Sequence, residues 1–365
     1  MNFDFSEEQT MLRDTVRRYV ADNYGFEARK AIVANGGFSA KVWADMAELG
    51  VLGLTAPADA GGSEMGLQEA MVVMEELGRG IVVEPVAAMG LLPIALLKGS
   101  AAHADLMAGI ADGSQKVAVA YVEHGARYHL NHCSTTASLV EGAWLVSGAK
   151  GVVACADLCD AFIVPAMTAQ GLSLFVVRAD VAGVATQAYP TQDGSRAGEL
   201  VLSQAQSALI GEPGQGLALL QAGINVLISA QCAEAVGCME MLCDMTGDYL
   251  NTRKQFSIEI GKFQALRHRL VDMRLELELA RGMSWKASMS IDDASLSAGE
   301  QNAIVSAAKV ASGKAMRTVG QGAVQLHGGI AVTLEYSAGH YFKRLTALEM
   351  TAGDTYHHMG LLAAA

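Results

Sequence analysis

The sequence predicts an α+β protein of three consecutive parts: a helical domain, a small antiparallel β domain and a helical bundle. Three observations carry that reading. Apolar residues recur at three- and four-residue spacing through both ends of the chain, short β-rich runs crowd the middle, and Pro213-Gly214 punctuates the return to helix. The parts fall at residues 1–114, 115–211 and 212–365. A chain of 365 residues exceeds the size at which one hydrophobic core usually stops growing, so several structural units are expected.

In the first part, Ser6 followed by Gln9 has the spacing of a capping box, and Met11, Leu12, Val16, Tyr19 and Val20 line one helical face. Leu54-Thr-Ala-Pro-Ala-Asp-Ala-Gly-Gly-Ser63 reads as a turn between helices. The middle part holds β-rich runs at Val117 to Val122, Trp144 to Val146, Ala161 to Val164, Leu172 to Val177 and Glu199 to Leu202. Turns at Gly148, Ala169-Gln-Gly171 and Gln192-Asp-Gly-Ser195 separate them, which suits a compact barrel-like sheet. Helical periodicity returns over roughly Gly216 to Arg253, Ile260 to Met289 and Ser297 to Leu326, with a break around Asn251 to Lys254.

Composition narrows the function. An apolar content of 51% against 18% charged excludes a disordered or fibrous chain. The net charge of -12 repels phosphate backbones and anionic bilayers, so neither nucleic acid nor membrane is expected as a partner. Met1-Asn-Phe-Asp-Phe-Ser-Glu-Glu lacks the basic start and apolar run of a leader, and the apolar stretches elsewhere read as shorter than a spanning helix; a cytoplasmic protein is expected. Six cysteines, Cys133, Cys155, Cys159, Cys232, Cys238 and Cys243, lack paired metal-ligand spacing. Cys155 and Cys159 would meet on a helix, but no second pair completes a zinc site, so no metal and reduced thiols are expected. A mean hydropathy of +0.26, with many Ala, Met and Gly residues in the bundle, favours helix contacts between subunits and thus an oligomer.

Two elements could hold a large ligand. Arg253-Lys-Gln255-Phe256, with Gln264 after it, offers fork-shaped donors to a pyrophosphate and a ring to pack on a flat heterocycle. In Gln321-Gly-Ala-Val-Gln325-Leu-His-Gly328-Gly329 the glycines allow close backbone approach and the glutamines supply amide donors. Taken singly, each has a plain alternative. Arg253 would solvate a helix break, and Gly328-Gly329 would be a helix stop with His327 as a helix C-terminal cation.

Together with Gln325-Leu-His-Gly-Gly-Ile330, Tyr341-Phe-Lys-Arg344 and Gly353-Asp354-Thr355, in this order and spacing, these elements resemble the C-terminal signature of flavin-dependent acyl-CoA dehydrogenases. The order of the three parts is also that family's, so the resemblance covers essentially the entire chain. It implies FAD as cofactor. Arg253, Gln255, Phe256 and Gln264 would reach the FAD of a neighbouring subunit, with Gln321, Gln325, Gly328, Gly329 and Thr355 completing pockets across the interface. Glu141-Gly-Ala-Trp-Leu-Val-Ser-Gly-Ala-Lys150 resembles the hairpin before the strand that lies against the flavin. Where relatives place an aromatic and a hydroxyl residue on that strand, this chain has Val152 and Ala154, which cannot hydrogen-bond the ring. Tyr121 and Glu123 fall on the family's other flavin-contact strand, where Glu123 reads as a solvated strand end.

The resemblance further implies an acyl-CoA substrate, formation of a trans-2,3 double bond, and an electron-transfer flavoprotein as electron acceptor. That reaction needs a carboxylate to take the Cα proton. Relatives carry it at the position of Gly353, or on the first bundle helix at the position of Leu227, and place an arginine where this chain has Ile228. Neither candidate position is acidic here. Asp354 is the nearest candidate base, since desolvation beside an acyl chain would raise its pKa, but it equally reads as a cap of the following helix. Glu234 and Glu240, turns away on the first bundle helix, read as structural. His357 and His358 read as surface or cap residues without a role.

The pattern is similar to a subgroup of α2β2 acyl-CoA dehydrogenases in bacterial breakdown of steroid side chains and dicarboxylic acids, in which one subunit can lack the base. The expected function is therefore an FAD-dependent acyl-CoA dehydrogenase subunit, in a heterotetramer with a related subunit or as a homo-oligomer. A non-catalytic partner subunit, or a flavin oxidase or monooxygenase on the same fold, are the alternatives.

Overall fold

A computed structural model describes residues 5–364, so the first four residues of the acidic start lie outside the described residues. Contacts divide the chain into two compact units. Among the described residues the first comprises 5–31, 67–82 and 228–364, and the second 32–66 and 83–227.

The first unit is all helix apart from one tiny hairpin. Helix α1 (Glu7–Asn23) starts with the capping box read from the sequence, Ser6 and Gln9 each accepting from the other's backbone. It packs on α4 (Leu67–Arg79), whose first backbone amides, Leu67 and Gln68, donate to the Asp292 carboxylate. Three long helices follow: α7 (Gly216–Thr252), which belongs to this unit from Ile228 on, α8 (Gln264–Asp292) and α9 (Ala298–His327). Two short ones, α10 (Ala338–Met350) and α11 (Thr355–Ala364), lie on α9.

Close approach fixes one crossing in this unit. A Cβ at Gly78 of α4 would fall 2.1 Å from the Glu234 carbonyl oxygen on α7, and one at Gly237 of α7 1.9 Å from that of Glu75. Only glycine lets these two backbones touch. Met239, Leu242, Met273, Leu277, Met316, Val319 and Leu345 fill the core beside it. Helix α7 is long and apolar enough to cross a membrane by length and composition, contrary to the sequence reading of shorter stretches. Its most apolar window is 72% buried, which makes it the central core helix.

The second unit carries α3 (Ala40–Glu48), α5 (Leu92–Leu97), α6 (Ala104–Ala111) and a seven-stranded sheet. The strands are β1 (Val117–Val119), β2 (Thr136–Val140), β3 (Ala143–Ala154), β4 (Ala161–Thr168), β5 (Gly171–Arg178), β6 (Val184–Pro190) and β7 (Arg196–Ile210). The order β4-β2-β3-β7-β5 returns to β4, so five strands close a ring, with β1 beside β4 and β6 beside β7. Register shifts between Val146 and Gly148 and between Lys150 and Val153 bend β3 around the closure.

The sheet departs from the expectation in two respects. Strand β1 pairs parallel with β4, as does β2 through Thr136 and Met167, so the ladder is mixed rather than wholly antiparallel. Strands β2 and β6 were not expected: Ser138 to Val140 and Ala185 to Gln187 are exposed, and neither strand alternates a buried apolar face with a polar one.

A further correction concerns the segment between β1 and β2. Glu123 is buried rather than a solvated strand end, and its carboxylate accepts from Lys150 Nζ at 2.6 Å, from the Ser134 hydroxyl at 2.6 Å and from the Thr135 hydroxyl at 2.7 Å. Burial pushes its pKa up, but the bonds from Lys150, Ser134 and Thr135 outweigh it and hold the carboxyl well below the usual range. This pair, with both side chains nearly fully buried, pins the loop before β2 to β3.

Candidate functional site

The residues expected to hold a flavin, Thr355 excepted, lie on two exposed ends of the first unit. Helix α7 ends at Thr252, and the chain makes a two-stranded hairpin, β8 (Lys254–Gln255) and β9 (Ile258–Glu259), before α8. The connecting residues Phe256 and Ser257 both have left-handed backbone, φ 52° and 65°. A two-residue hairpin turn with positive φ at both positions normally takes Asn-Gly or Gly-Gly. Phenylalanine there is strained, and the strain presents its ring 87% exposed, edge-on to Phe263 at 6.2 Å between centroids. Arg253, Gln255 and Gln264 are exposed on the same segment.

At the end of α9, Gln321 and Gln325 are exposed one turn apart, and Gly328 caps the helix at φ 67° with its N–H on the Val324 carbonyl. A Cβ at Gly328 or Gly329 would meet nothing within 4 Å, so the backbone there is open to a ligand. His327 is not the expected helix C-terminal cation. It is buried between the rings of Tyr249 and Tyr336, bonds the Ala323 carbonyl through Nδ1, and burial lowers its pKa. The other signature residues are structural: Tyr341 donates to the Arg79 carbonyl, and Arg344 forms a fork on Glu234 at 2.5 and 2.9 Å. Glu240 pairs with Arg79 and Arg281, in keeping with the structural reading of both glutamates.

The turn after α10 is closed. Ala352 and Gly353 have φ 56° and 106°. A Cβ at Gly353 would fall 2.5 Å from His358 Nε2 and 2.7 Å from His357 Cδ2. His358 is buried, contrary to the surface reading, and is held by Ser306 Oγ at 3.1 Å and the Ala352 carbonyl at 3.0 Å. Burial lowers its pKa to about 4, so the ring is neutral. Asp354 accepts from the His357 N–H at 2.8 Å, the geometry of an N-cap on α11. Thr355 is turned inward, its hydroxyl donating to Glu349 at 2.9 Å.

Lys309 was not singled out in the sequence. It lies fully buried on α9, donates to the carbonyls of Leu348 at 2.6 Å and Thr351 at 2.8 Å, and so clamps the end of α10. Burial pushes its pKa down to about 8. Its sequence signal is a lysine on the buried stripe of Val305, Ala308, Ser312, Met316 and Val319.

In the second unit, Val152 is 61% exposed with φ 53° and donates its N–H to the Tyr189 hydroxyl, while Ala154 is half-buried. Burial pushes the Tyr121 phenol up to about 12. Leu227 and Ile228 of α7 are both buried. All six cysteines carry free thiols, and no group of three potential metal ligands occurs among the described residues.

Family models match at both ends: the acyl-CoA dehydrogenase N-terminal domain over residues 6–105 and the C-terminal domain over residues 214–365. Acyl-CoA dehydrogenase FadE12 of Mycobacterium tuberculosis is 31% identical over 352 residues, 92% of this chain and 89% of that protein. The chain belongs to the acyl-CoA dehydrogenase family. Acyl-CoA dehydrogenase IpdE2 of the same organism is 29% identical over 340 residues, covering 93% and 91% of the two chains. A steroid ACAD solved as a Tcur3481-Tcur3483 variant superposes with a TM-score of 0.91 at 28% identity, over 98% of this chain and 97% of that one. A glutaryl-coenzyme A dehydrogenase in complex with glutaryl-CoA gives 0.92 at 26% identity, over 100% and 96%.

As a member of this flavoprotein family the chain takes FAD as its cofactor. Its exposed residues suit that group. A guanidinium, four exposed amide side chains, an exposed ring on a strained turn and an open glycine pair are the donors and surfaces a dinucleotide needs.

Proposed function

We propose that this chain is an FAD-binding subunit of a heteromeric acyl-CoA dehydrogenase, and that the carboxylate removing the Cα proton stands on a related partner subunit. The closure of the Gly353 turn carries this reading: the position matching the usual base has no side chain, and a Cβ there would collide with His358. Asp354 is the N-cap of α11, and Leu227 and Ile228 supply only apolar surface where relatives have charge. FAD supplies the two-electron acceptor for trans-2,3 desaturation of the thioester. Arg253 and Gln255 hold its pyrophosphate from an adjacent subunit, Phe256 packs on its flat rings, and Gln264, Gln321, Gln325, Gly328 and Gly329 line the remainder.

Similarity to a steroid ACAD and to a glutaryl-coenzyme A dehydrogenase supports an acyl-CoA of a steroid side chain or a dicarboxylic acid as substrate. A ChsE4-ChsE5 complex sharing the fold at 24% identity is consistent with pairing of unlike subunits. An electron-transfer flavoprotein takes the electrons on, and the chain works as a soluble cytoplasmic enzyme. A second reading, a partner that binds little flavin of its own, is favoured by Val152 and Ala154, whose side chains offer no bond to a flavin ring.

Flavin content separates the two. The first reading expects a stoichiometric flavin spectrum when the chain is co-purified with a related subunit, falling to about half when Arg253→Ala is made in this chain alone. No change in flavin content with Arg253→Ala would sink it.

A further inference from the structure

We infer that His358 is a plug that holds the base position shut, so that a carboxylate can be accommodated at residue 353 only when His358 is removed as well. The inference rests on the reading above for the identity of that position. Its geometry stands independently, since three constraints converge on one turn. The backbone at Gly353, φ 106°, is one that side-chain-bearing residues rarely adopt. The direction a Cβ would take is filled chiefly by the buried imidazole of His358, 2.5 Å away at Nε2 and 2.9 Å at Cδ2, with Cδ2 of the half-buried His357 at 2.7 Å beside it. The ring cannot swing aside freely, because Ser306 Oγ holds Nδ1 and the Ala352 carbonyl holds Nε2.

Those bonds join α9 to the turn. His358 Nε2 donates to the carbonyl of Ala352, a residue itself at φ 56°, so the plug also keeps the strained residue before Gly353 in place. Lys309 fixes the same turn from the other side through Thr351. The loss of the carboxylate is thus built into the packing. Placing glutamate at 353 alone would require either the ring or the turn to move.

The test uses the full chain as G353E, H358A and the double variant G353E/H358A, read first by thermal unfolding. Positive φ and overpacking together predict that G353E lowers the midpoint by roughly 5–10 °C. H358A lowers it through lost bonds, and the double variant falls by clearly less than the sum of the two. Additive shifts, or a G353E chain as stable as the parent, would overturn the inference. The second readout is exchange of the Cα protons of butyryl-CoA in D2O by each variant with FAD bound. In exchange, a carboxylate takes the Cα proton and a solvent deuteron returns to the carbon. Exchange by the double variant with at least tenfold less by G353E supports the plug, whereas equal exchange by G353E overturns it. Non-additive unfolding without exchange in the double variant leaves the plug standing and instead refutes residue 353 as the base position.

Discussion

The hairpin at Arg253–Phe263 and the turn at Gly353 each hold residues in left-handed backbone, yet they spend that strain in opposite directions. At Phe256 a left-handed turn pushes an aromatic ring almost wholly into solvent. At Gly353 it folds the chain inward, where His358, Lys309 and Thr355 fill the space with neutral or internally bonded groups. Strain that exposes a costly apolar ring needs a ligand or partner to explain it; strain sealed by packing does not. The surface proposed to meet the cofactor is open to a ligand, and the turn at Gly353, the proposed base position, is closed by packing.

The largest expected effect sharpens the closed side. Lys309→Met, which removes both bonds to the end of α10, should lower stability by about 2–4 kcal/mol in denaturant unfolding while FAD affinity stays at the parent value. A matching loss of FAD affinity would show that the two regions are one. Acid is the next probe. The His358 pKa is depressed in the folded chain to about 4, so the unfolded chain binds a proton first. The contribution is present above pH 6.5 and is lost as pH falls from 6.5 through about 4, up to about 3 kcal/mol. His358→Gln should flatten that part of the pH–stability profile, and an unchanged slope would place the ring in solvent.

On the open side, Arg253→Ala removes a charge-assisted donor worth about 1.5–3 kcal/mol, so FAD dissociation constants measured by fluorescence should rise roughly 10- to 100-fold with unfolding unchanged. The smallest effect is the most discriminating. Asn caps a helix as well as Asp, so Asp354→Asn should alter stability by no more than about 0.5 kcal/mol and leave flavin reduction in the assembled enzyme as it was. Loss of a general base would instead slow reduction by roughly 10²- to 10⁴-fold.

Much of this contrast was legible in the sequence, and the reasons differ by residue. The long helices of the bundle and the capping box at Ser6 follow from periodicity and local chemistry, and the absence of a carboxylate at 353 is a matter of residue type. Whether Asp354 faces a ligand or its own helix depends on backbone direction, which a single letter does not carry. His358, Lys309 and Glu123 look alike in one respect: each is a polar residue whose burial is decided by partners distant in the chain, Ser306, Leu348 and Lys150. Polar residue types argue for solvent until such partners are known. For Lys309 a clue did exist, its place on an apolar helical stripe. Strands β2 and β6 escaped because a largely exposed strand needs no apolar alternation to pair.

The most direct test of a retained cofactor surface beside a closed base position is anaerobic titration of the flavin band. A panel of acyl-CoA thioesters, steroid side-chain and dicarboxylic among them, would be added to the FAD-loaded chain alone and to its complex with a related subunit. The account predicts no bleaching of the lone chain and full bleaching of the complex, unaffected by Asp354→Asn. Bleaching of the lone chain that disappears with Asp354→Asn would contradict it and make Asp354 the base.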